Sequence, residues 1–390
     1  MLFAAQLGLL LPCPPTRWDA LGELTPSPPR DFLRVVAAPP SLSPAAERAW
    51  LEQNSERLMD AIAEHGALHF KGFQLPATSA GLRDFCAALP LRPCADPLAS
   101  VGVRSLLSAP DGVYEAVNAE SLSRTFIGLH NDVTYKLAAP FAAFACFQPA
   151  QRGGGDFLLA DGRAVLADLS PSVLASLRKR LLSVRVASLP FGWLADLPLP
   201  VAARAALHGA ALRVVGAVLA ARVPLELALA FSADERTLQI LEQPKPPVNR
   251  HPASGAPTFF SSLHSQSAHL QRRRKARGAA AEGTFEGVDV FYGDLQPIEL
   301  DVLEHVDEVV SRHVVRVPME RGEVVLLDSY QALHGRDCFE GRREHGVVWL
   351  VEQEERQEER QEERQEDRRE ERRVDWEERR TSAGADLSRD

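Results

Sequence analysis

The sequence has 390 residues, of which 45% are hydrophobic and 25% are charged, and its formal net charge is -9. The apolar fraction is sufficient for a large core, and the length fits one large β-barrel domain with appendages as well as two or three smaller domains. The negative charge argues against a nucleic-acid-binding surface, and five scattered cysteines without CxxC or zinc-finger spacing argue against a disulfide framework or a thiolate metal site.

The first 45 residues are predicted to form a proline-rich, extended lead-in. Residues 1–12 are apolar, but they contain no basic residue and are too short to span a bilayer. The cysteine pattern favours a reducing, cytoplasmic location. Organellar targeting stays open, because the first acidic residue is Asp19.

Residues 46–351 carry the alternating helical and extended patterns of one main domain. Apolar residues at helical spacing predict three helices, at 44–65, 79–89 and 163–182. Short apolar runs predict four strands, at 67–73, 141–147, 323–328 and 346–351. The run at 141–147 has no polar alternation and should be buried on both faces, whereas 95–125 is expected to be irregular and to reach the pocket. These patterns predict an α+β fold with a mainly β core.

Residues 194–230 are rich in Ala, Leu and Val. Arg204, His208, Arg213 and Arg222 interrupt this stretch too often for a transmembrane helix. We therefore predict an amphipathic helical insertion that packs over the β core, and we expect no membrane partner.

The last segment, residues 352–390, is a charged low-complexity tail. Glu-Glu-Arg-Gln repeats nearly perfectly from Glu354 to Gln365. Its composition favours a partly helical, exposed extension, while the lack of an apolar seam argues against a coiled coil. Such a tail could bind a protein partner, and catalysis should not need it.

The first chemical motif is His130-Asn131-Asp132. In an extended segment, residues two apart point to the same side, so His130 and Asp132 can converge on one metal ion while Asn131 points away. Because His-x-Asp also occurs by chance in many proteins, this motif alone is weak evidence for a metal site.

A second fragment combines His334 with Arg342 and Arg343 shortly after it. It lies between the strands predicted at 323–328 and 346–351, so we expect His334 on the hairpin that joins them. Two imidazoles and one carboxylate can occupy one face of an octahedral iron(II) and leave three positions for a bidentate 2-keto acid and dioxygen. An arginine supplies a planar, charged fork for the far carboxylate of the keto acid.

Six blocks of the main domain occur in a fixed order: 66–73, 130–144, 153–156, 251–260, 292–298 and 321–336. The last block, Arg-Gly-Glu-Val-Val-Leu-Leu-Asp-Ser-Tyr-Gln-Ala-Leu-His-Gly-Arg, is the most specific. Together they resemble the taurine dioxygenase-like (TauD/TfdA) family of iron(II)- and 2-oxoglutarate-dependent oxygenases, and most of all its clavaminate synthase-like branch. The resemblance extends from residue 66 to residue 351.

The resemblance implies a double-stranded β-helix (jelly roll) with flanking helices and the helical insertion outside it. It implies that His130, Asp132 and His334 bind iron(II) and that Arg342 or Arg343 binds 2-oxoglutarate. Counting without gaps favours Arg343. The implied reaction consumes dioxygen, decarboxylates 2-oxoglutarate to succinate and oxidises, as in a hydroxylation, a C–H bond of a small organic substrate.

One position departs from the family pattern. Many relatives have a Thr directly after the Gly-Gly-Asp turn, and its hydroxyl helps to hold the keto acid, whereas Phe157 follows the turn here. Either another group replaces that hydroxyl or 2-oxoglutarate is held more weakly. The departure is the best support for an alternative, a non-catalytic binding or scaffold protein on the same barrel. A zinc-dependent hydrolase is a third alternative.

The substrate is predicted to be small and anionic or zwitterionic. Arg104, Arg124 and Arg336 lie in segments expected near the metal and could pair with a carboxylate. Surface or structural salt bridges explain the three arginines equally well.

Four further histidines have simpler explanations than metal binding. His251 is expected to lie in a turn, and His345 is a weak candidate for a metal ligand. His264 and His269 precede a basic run, residues 272–277, which is expected to form a solvated, mobile loop because no aromatic residue is interleaved with it.

Overall fold

The structure of the chain is a computed structural model, and it describes residues 10–11, 13–16, 31–97, 105–134, 137–222, 227–277 and 287–353. Most of the proline-rich lead-in, Arg104 and the tail from residue 354 onward, with its predicted helicity, lie outside these residues. The helices are α1 (Pro44–Gln53), α2 (Ser55–His65), α3 (Ser79–Ala87), α4 (Gly162–Asp168), α5 (Pro171–Arg180), α6 (Gly192–Ala195), α7 (Val201–Arg222), α8 (Leu263–Gln266), α9 (Ala268–Ala276) and α10 (Leu300–Arg312).

The strands follow one another in four groups along the chain. The first group is β1 (Arg34–Ala37), β2 (Ala67–Lys71), β3 (Leu91–Cys94), β4 (Leu106–Ser108) and β5 (Val113–Glu115). The second is β6 (Ile127–His130), β7 (Phe141–Gln148) and β8 (Phe157–Asp161). The third is β9 (Leu182–Pro190), β10 (Leu227–Phe231), β11 (Thr237–Glu242), β12 (Val248–Arg250), β13 (Pro257–Phe259) and β14 (Asp289–Tyr292). The fourth is β15 (Val315–Val317), β16 (Val324–Asp328), β17 (Ala332–Arg336) and β18 (Glu344–Glu352).

Two sheets form the core. The major sheet has the order β1-β2-β16-β7-β18-β5-β4, with β3 also paired to β18, and the minor sheet has the order β15-β8-β17-β6. From β5 to β8, and again from β15 to β18, each strand lies in the other sheet from the one before it. This alternation is the pattern expected of the predicted jelly roll, and the predicted α+β class with a mainly β core is confirmed.

Strand periodicity places the hydrophobic core between and outside the two sheets. In β7, Phe144 points into the space between the sheets, whereas Ala143 points outward. In β8, Phe157 faces the same inner space, and Leu158 faces outward. The prediction that residues 141–147 are buried on both faces is confirmed, because every one of them is buried.

Helices cover both outer faces. Side chains of α1, α2 and α3, among them Leu51, Met59 and Phe85, share one cluster with Phe70 and Leu326 of the major sheet. Helices α4, α5 and α10 cover the minor sheet through a second cluster that includes Leu158, Leu166, Leu177, Leu333 and Val306. Each fully buried Leu or Phe contributes roughly 1.5–3 kcal/mol, so this layering accounts for much of the stability of the fold.

Two predicted helices are each broken in two. Residues 44–65 form α1 and α2, and Asn54 between them donates its side-chain amide to the carbonyl oxygen of Trp50 at 2.8 Å. Residues 163–182 form α4 and α5, and the chain enters β9 at Leu182. Pro171 explains the second break, because proline cannot continue a helical hydrogen-bond ladder and disfavours helical geometry in the residue before it.

The helix predicted within residues 194–230 is present, but it shares this segment with a strand and packs on an outer sheet instead of over the β core. Helix α7 packs beside β10, which belongs to an outer sheet of order β10-β11-β9-β14, and the ring of His208 stacks on Phe231 at 4.1 Å between centroids. The predicted amphipathicity is wrong, since Val201 and Val214 are 76% and 64% exposed. Among the described helices, α7 is long and apolar enough over Val201–Ala221 to span a membrane, and little of that stretch is buried.

Residues 95–125 are more regular than predicted. Strands β4 and β5 pair with each other, and β5 joins the major sheet beside β18. Three-residue strands are too short to show alternation in a sequence, which is why the prediction missed them.

Candidate metal centre

His130 lies at the end of β6, Asp132 two residues further on, and His334 in the middle of β17. The two strands are antiparallel neighbours, and His130 is the register partner of His334. Oδ2 of Asp132 lies 3.0 Å from Nε2 of His334, and Oδ1 lies 3.5 Å from Nε2 of His130. One possible ligand atom from each residue lies within 4.8 Å of the other two. The fold therefore brings together the three residues that the sequence singled out.

The predicted position of His334 on a hairpin is wrong in detail. The turn between β16 and β17 ends at residue 331, and His334 lies inside β17. Its imidazole faces the space between the sheets, with ring centroids 4.9 Å from Phe144 and 6.0 Å from Phe157. The strand was missed because Gly335 and Arg336 are unusual residues for a buried strand.

The three side chains are largely shielded from water. Asp132, His334 and His130 have side-chain exposures of 3%, 6% and 15%. Nδ1 of His130 lies 2.8 Å from the carbonyl oxygen of Gly128 and donates its proton to it. This hydrogen bond leaves the lone pair on Nε2, the nitrogen that faces Asp132, and so selects the tautomer that a metal ligand needs.

Asn131 fixes the segment that carries two of the three side chains. Its buried amide nitrogen donates to the carbonyl oxygens of Ser329 at 3.0 Å and Ala332 at 3.2 Å, and its oxygen accepts from the Ser261 N–H at 3.1 Å. The predicted orientation of Asn131 away from its neighbours His130 and Asp132 is confirmed. These bonds tie the end of β6 to the turn between β16 and β17.

Strand β6 is also held from outside, by His264. The Leu129 N–H donates to Nδ1 of His264 at 2.8 Å, and Nε2 of His264 lies 3.3 Å from Oδ1 of Asp307. Gly128 permits this close approach, because a Cβ there would lie 2.8 Å from the carbonyl oxygen of His264. Burial, assisted by the charge of Arg274, lowers the pKa of His264 to about 4.

Acidification should therefore destabilise the metal-free protein through His264. Because the pKa is lower in the folded state than its ordinary value of 6.5, the contribution is fully present above pH 6.5 and is lost as the pH falls toward 4. The loss in unfolding free energy should approach about 3 kcal/mol at pH 4. Urea unfolding of chelator-treated wild type and His264→Gln from pH 7 to pH 4 measures it. Equal pH dependence in both proteins would contradict the assignment.

Of the two candidate arginines, Arg343 is buried and Arg342 is exposed. Nη1 of Arg343 donates to the carbonyl oxygen of Ala116 at 3.0 Å and to Oδ1 of Asn118 at 3.2 Å, while its buried Nε has no partner. The side chain of Arg342 is 70% exposed and pairs with Glu344. Burial lowers the pKa of Arg343 to about 9. The geometry favours Arg343 as the group that could receive a buried anion.

The Gly-Gly-Asp turn packs directly on Arg343. Gly155 has a φ of +77°, which favours glycine, and a Cβ there would lie 3.1 Å from both Cδ of Arg343 and Cβ of Phe339. Gly155, whose block the sequence showed only as a resemblance, therefore makes room for the arginine.

Arg336 is buried, two residues beyond His334 on the same strand. Its guanidinium donates to the carbonyl oxygens of Asp337 at 2.7 Å, Leu122 at 2.8 Å and Thr125 at 3.2 Å. It thereby fastens the segment before β6 to β17. Of the three arginines named for an anionic substrate, Arg124 is exposed and Arg104 lies outside the described residues.

The other histidines have structural surroundings. The ring of His251 accepts the N–H groups of Ala253 and Ser254, which confirms the predicted turn, and its Nε2 lies 2.7 Å from Oδ2 of Asp328. His345 is buried in β18, and it does not belong to the group formed by His130, Asp132 and His334.

The prediction of a solvated loop at the basic run is wrong. Residues 272–276 lie in α9, which is capped by Ser267, and only residue 277 follows it before the described chain stops. Arg274 pairs with Asp307 at 2.6 Å, and Arg273 pairs with Glu304 at 2.7 Å. Ion pairs with α10 therefore stabilise the helical conformation of this basic run, which has no apolar periodicity that would predict a helix.

Residues 23–349 match the family described as "Taurine catabolism dioxygenase TauD, TfdA family". The chain belongs to this family. As a TauD/TfdA-family member it is an oxidoreductase, an iron(II)- and 2-oxoglutarate-dependent dioxygenase that acts with dioxygen on a small-molecule substrate, as the sequence predicted. The family match gives no support to the alternative of a non-catalytic scaffold.

Solved structures similar to this TauD/TfdA-family chain include PvcB from Pseudomonas aeruginosa. The identity is 16% and the TM-score 0.47, over 86% of this chain and 95% of PvcB. Another is asparagine oxygenase in complex with Fe(II), 2S,3S-3-hydroxyasparagine and succinate, with 15% identity and a TM-score of 0.43, over 78% of this chain and 80% of that one. No curated protein matches the sequence.

Proposed function

We propose that His130, Asp132 and His334 hold the iron(II), that Arg343 binds the far carboxylate of 2-oxoglutarate, and that the enzyme hydroxylates a C–H bond of a small organic substrate. The observation that carries the proposal is the convergence of two imidazole nitrogens and a carboxylate in the space between the two sheets.

The donor set fits an iron(II) ion. A divalent cation about 2.1 Å from each of two cis ligands holds those ligands about 3.0 Å apart. The distances of 3.0 Å and 3.5 Å from the Asp132 oxygens to the two imidazoles are close to this value. Two imidazoles with one carboxylate also leave ligand positions open, as an oxygenase requires.

The guanidinium of Arg343, the residue expected to bind the cosubstrate, fits the far carboxylate of 2-oxoglutarate. The buried Nε of Arg343 has no partner, and among the described residues no carboxylate pairs with this guanidinium. A carboxylate there would receive charge-assisted hydrogen bonds and offset the cost of burying the cation.

The surrounding residues orient the ligands and exclude water. Gly128 and Asn131 fix His130 and Asp132, while the rings of Phe144 and Phe157 pack against His334. Bound iron(II) supplies the activation of dioxygen that oxidation of an unactivated C–H bond needs. The apolar walls limit access of bulk water to that chemistry.

We also propose that the substrate is anionic or zwitterionic and that the protein is cytoplasmic. Arg124 supports the first point, because it is an exposed cation shortly before β6, the strand that ends at His130. Free cysteines support the second, since all five are unpaired and four are buried. A protein partner for the tail is a proposal that rests on its charged composition alone.

Succinate formation should require both iron(II) and 2-oxoglutarate. Purified protein, made metal-free and then reloaded anaerobically, is mixed with air-saturated buffer and 2-oxoglutarate, and succinate is measured with iron(II), with zinc or with no metal. A panel of small carboxylates, sulfonates and amino acids, each paired with its neutral amide or ester, then tests substrate class by stimulation of succinate release. Turnover with zinc alone, or no succinate under any condition, would overturn the proposal.

A further inference from the structure

Phe157 removes a hydrogen-bond donor from the place where many relatives have a threonine hydroxyl. Its ring lies in the interior, 4.7 Å from that of Phe144 and nearly parallel to His334, at an interplanar angle of 16°. A phenyl ring cannot donate to a carboxylate. If 2-oxoglutarate binds here with ordinary affinity, another side chain has to provide the missing contact.

Two residues pair with Phe157 across the minor sheet, Val317 and Arg336, and of the two only Arg336 has a side-chain hydrogen-bond donor. Strands β8 and β17 are antiparallel neighbours, and Arg336 is the register partner of Phe157. Paired residues on adjacent strands project from the same face with their Cβ atoms about 4.5–5.5 Å apart. Arg336 is also two residues from His334, so the three side chains share the inner face of the minor sheet.

Arg336, in the minor sheet, and Arg343, just before β18 of the major sheet, both contact the ring of Phe339. The guanidinium of Arg336 lies 4.7 Å from the ring centroid of Phe339, and that of Arg343 lies 5.7 Å from the same centroid. Both are buried, and both have a buried Nε with no hydrogen-bond partner. Throughout the described part of the chain, no carboxylate pairs with either guanidinium.

Two buried cations without a counter-ion are unfavourable unless an anion joins them. The backbone carbonyls around Arg336 satisfy part of its donors, but they carry no net charge. A carboxylate placed between the two guanidiniums would offset half of their combined charge and accept hydrogen bonds from the unused N–H groups.

We propose that Arg336 supplies the second contact to the far carboxylate of 2-oxoglutarate, in place of the hydroxyl that is missing at Phe157. The carboxylate is then held between Arg336 of the minor sheet and Arg343, which directly precedes β18 of the major sheet. This inference rests on the proposed function, which puts 2-oxoglutarate in this site.

The test has to separate this role from the structural one, because Arg336 also binds the carbonyls of Leu122 and Thr125. Comparing the binding of two keto acids separates the two roles. 2-Oxoglutarate carries the far carboxylate, whereas 2-oxopentanoate has a methyl group there and shares only the keto acid end. Their dissociation constants are measured anaerobically by titration calorimetry on iron(II)-loaded protein, so that the readout is binding rather than turnover.

Arg336→Gln should weaken 2-oxoglutarate binding about 10–100-fold, as expected for loss of a hydrogen bond to a charged group, and leave 2-oxopentanoate binding within about 2-fold. Phe157→Thr added to Arg336→Gln should restore part of the loss. Arg316→Gln is the matched control, since Arg316 is half-exposed and pairs with Asp337 beside Arg336. It should change neither constant.

Three results would overturn the inference. Equal weakening of both keto acids would show that Arg336 is only structural, and no change in either would show that it does not touch the cosubstrate. If Arg336→Gln does not fold, the Phe157→Thr variant alone decides the question. A gain in 2-oxoglutarate affinity above about 10-fold would mean that the wild type lacks a second contact to the far carboxylate. If the wild type itself does not bind 2-oxoglutarate, the proposed function is refuted. This outcome differs from the three above, which concern Arg336 alone.

Discussion

Asp132→Ala is expected to weaken iron(II) binding at least about 100-fold, more than the roughly 10–100-fold that loss of an outer-shell partner causes. Asp132 contributes a carboxylate that faces both imidazoles, at 3.0 Å and 3.5 Å. Without it, two neutral nitrogens remain, and no anionic oxygen offsets the charge of the metal in a buried site. Anaerobic titration with iron(II), followed by succinate measurement, should show loss of both binding and turnover.

Asp168→Ala is the matched control for this experiment. Asp168 is also a carboxylate paired with a histidine, His313, at 2.9 Å, but its side chain is 46% exposed on the surface. The Asp168→Ala variant should bind iron(II) and form succinate as the wild type does. An Asp132→Ala protein that retains wild-type iron affinity would show that the three residues are not the metal ligands.

The three candidate ligands could be predicted from the sequence, but their setting could not. His130 and Asp132 are two residues apart, and alternation in an extended chain is enough to put them on one side. Their contact with His334 depends on the register between β6 and β17, which joins residues about two hundred positions apart. The sequence carried that information only as a resemblance to a known family.

The choice between Arg342 and Arg343 shows the same limit. Neighbouring residues in an extended chain point to opposite faces, so Arg342 and Arg343 have different surroundings. Which one depends on how β18 is registered against β7, and that pairing is shifted by an irregularity between Glu344 and His345. A one-residue slip reverses every side chain, and no local pattern in the sequence records it.

The prediction for residues 194–230 missed strand β10 and the exposed side of α7 for a different reason. Ala, Leu and Val fill both α7 and β10, so neither a helical nor a strand period marks the point where one ends and the other begins. The exposed apolar face of α7 is likewise invisible in a composition that is apolar all round. Only tertiary contacts, such as His208 on Phe231, define which side faces the protein.

Arg343→Gln is expected to weaken 2-oxoglutarate binding on the order of 100-fold, about 2.7 kcal/mol, and to leave iron(II) affinity unchanged. The buried guanidinium of Arg343 has an unused Nε, and glutamine keeps a polar side chain there without the charge and the planar set of donors. Arg342→Gln, one residue away, should change the dissociation constant by less than about 2-fold, because an exposed ion pair such as Arg342 with Glu344 contributes little. Anaerobic titration of both variants measures the difference. The two substitutions are identical in chemistry and adjacent in sequence, so a larger effect at Arg342 would mean that the register of β18 near the site is not the one described here.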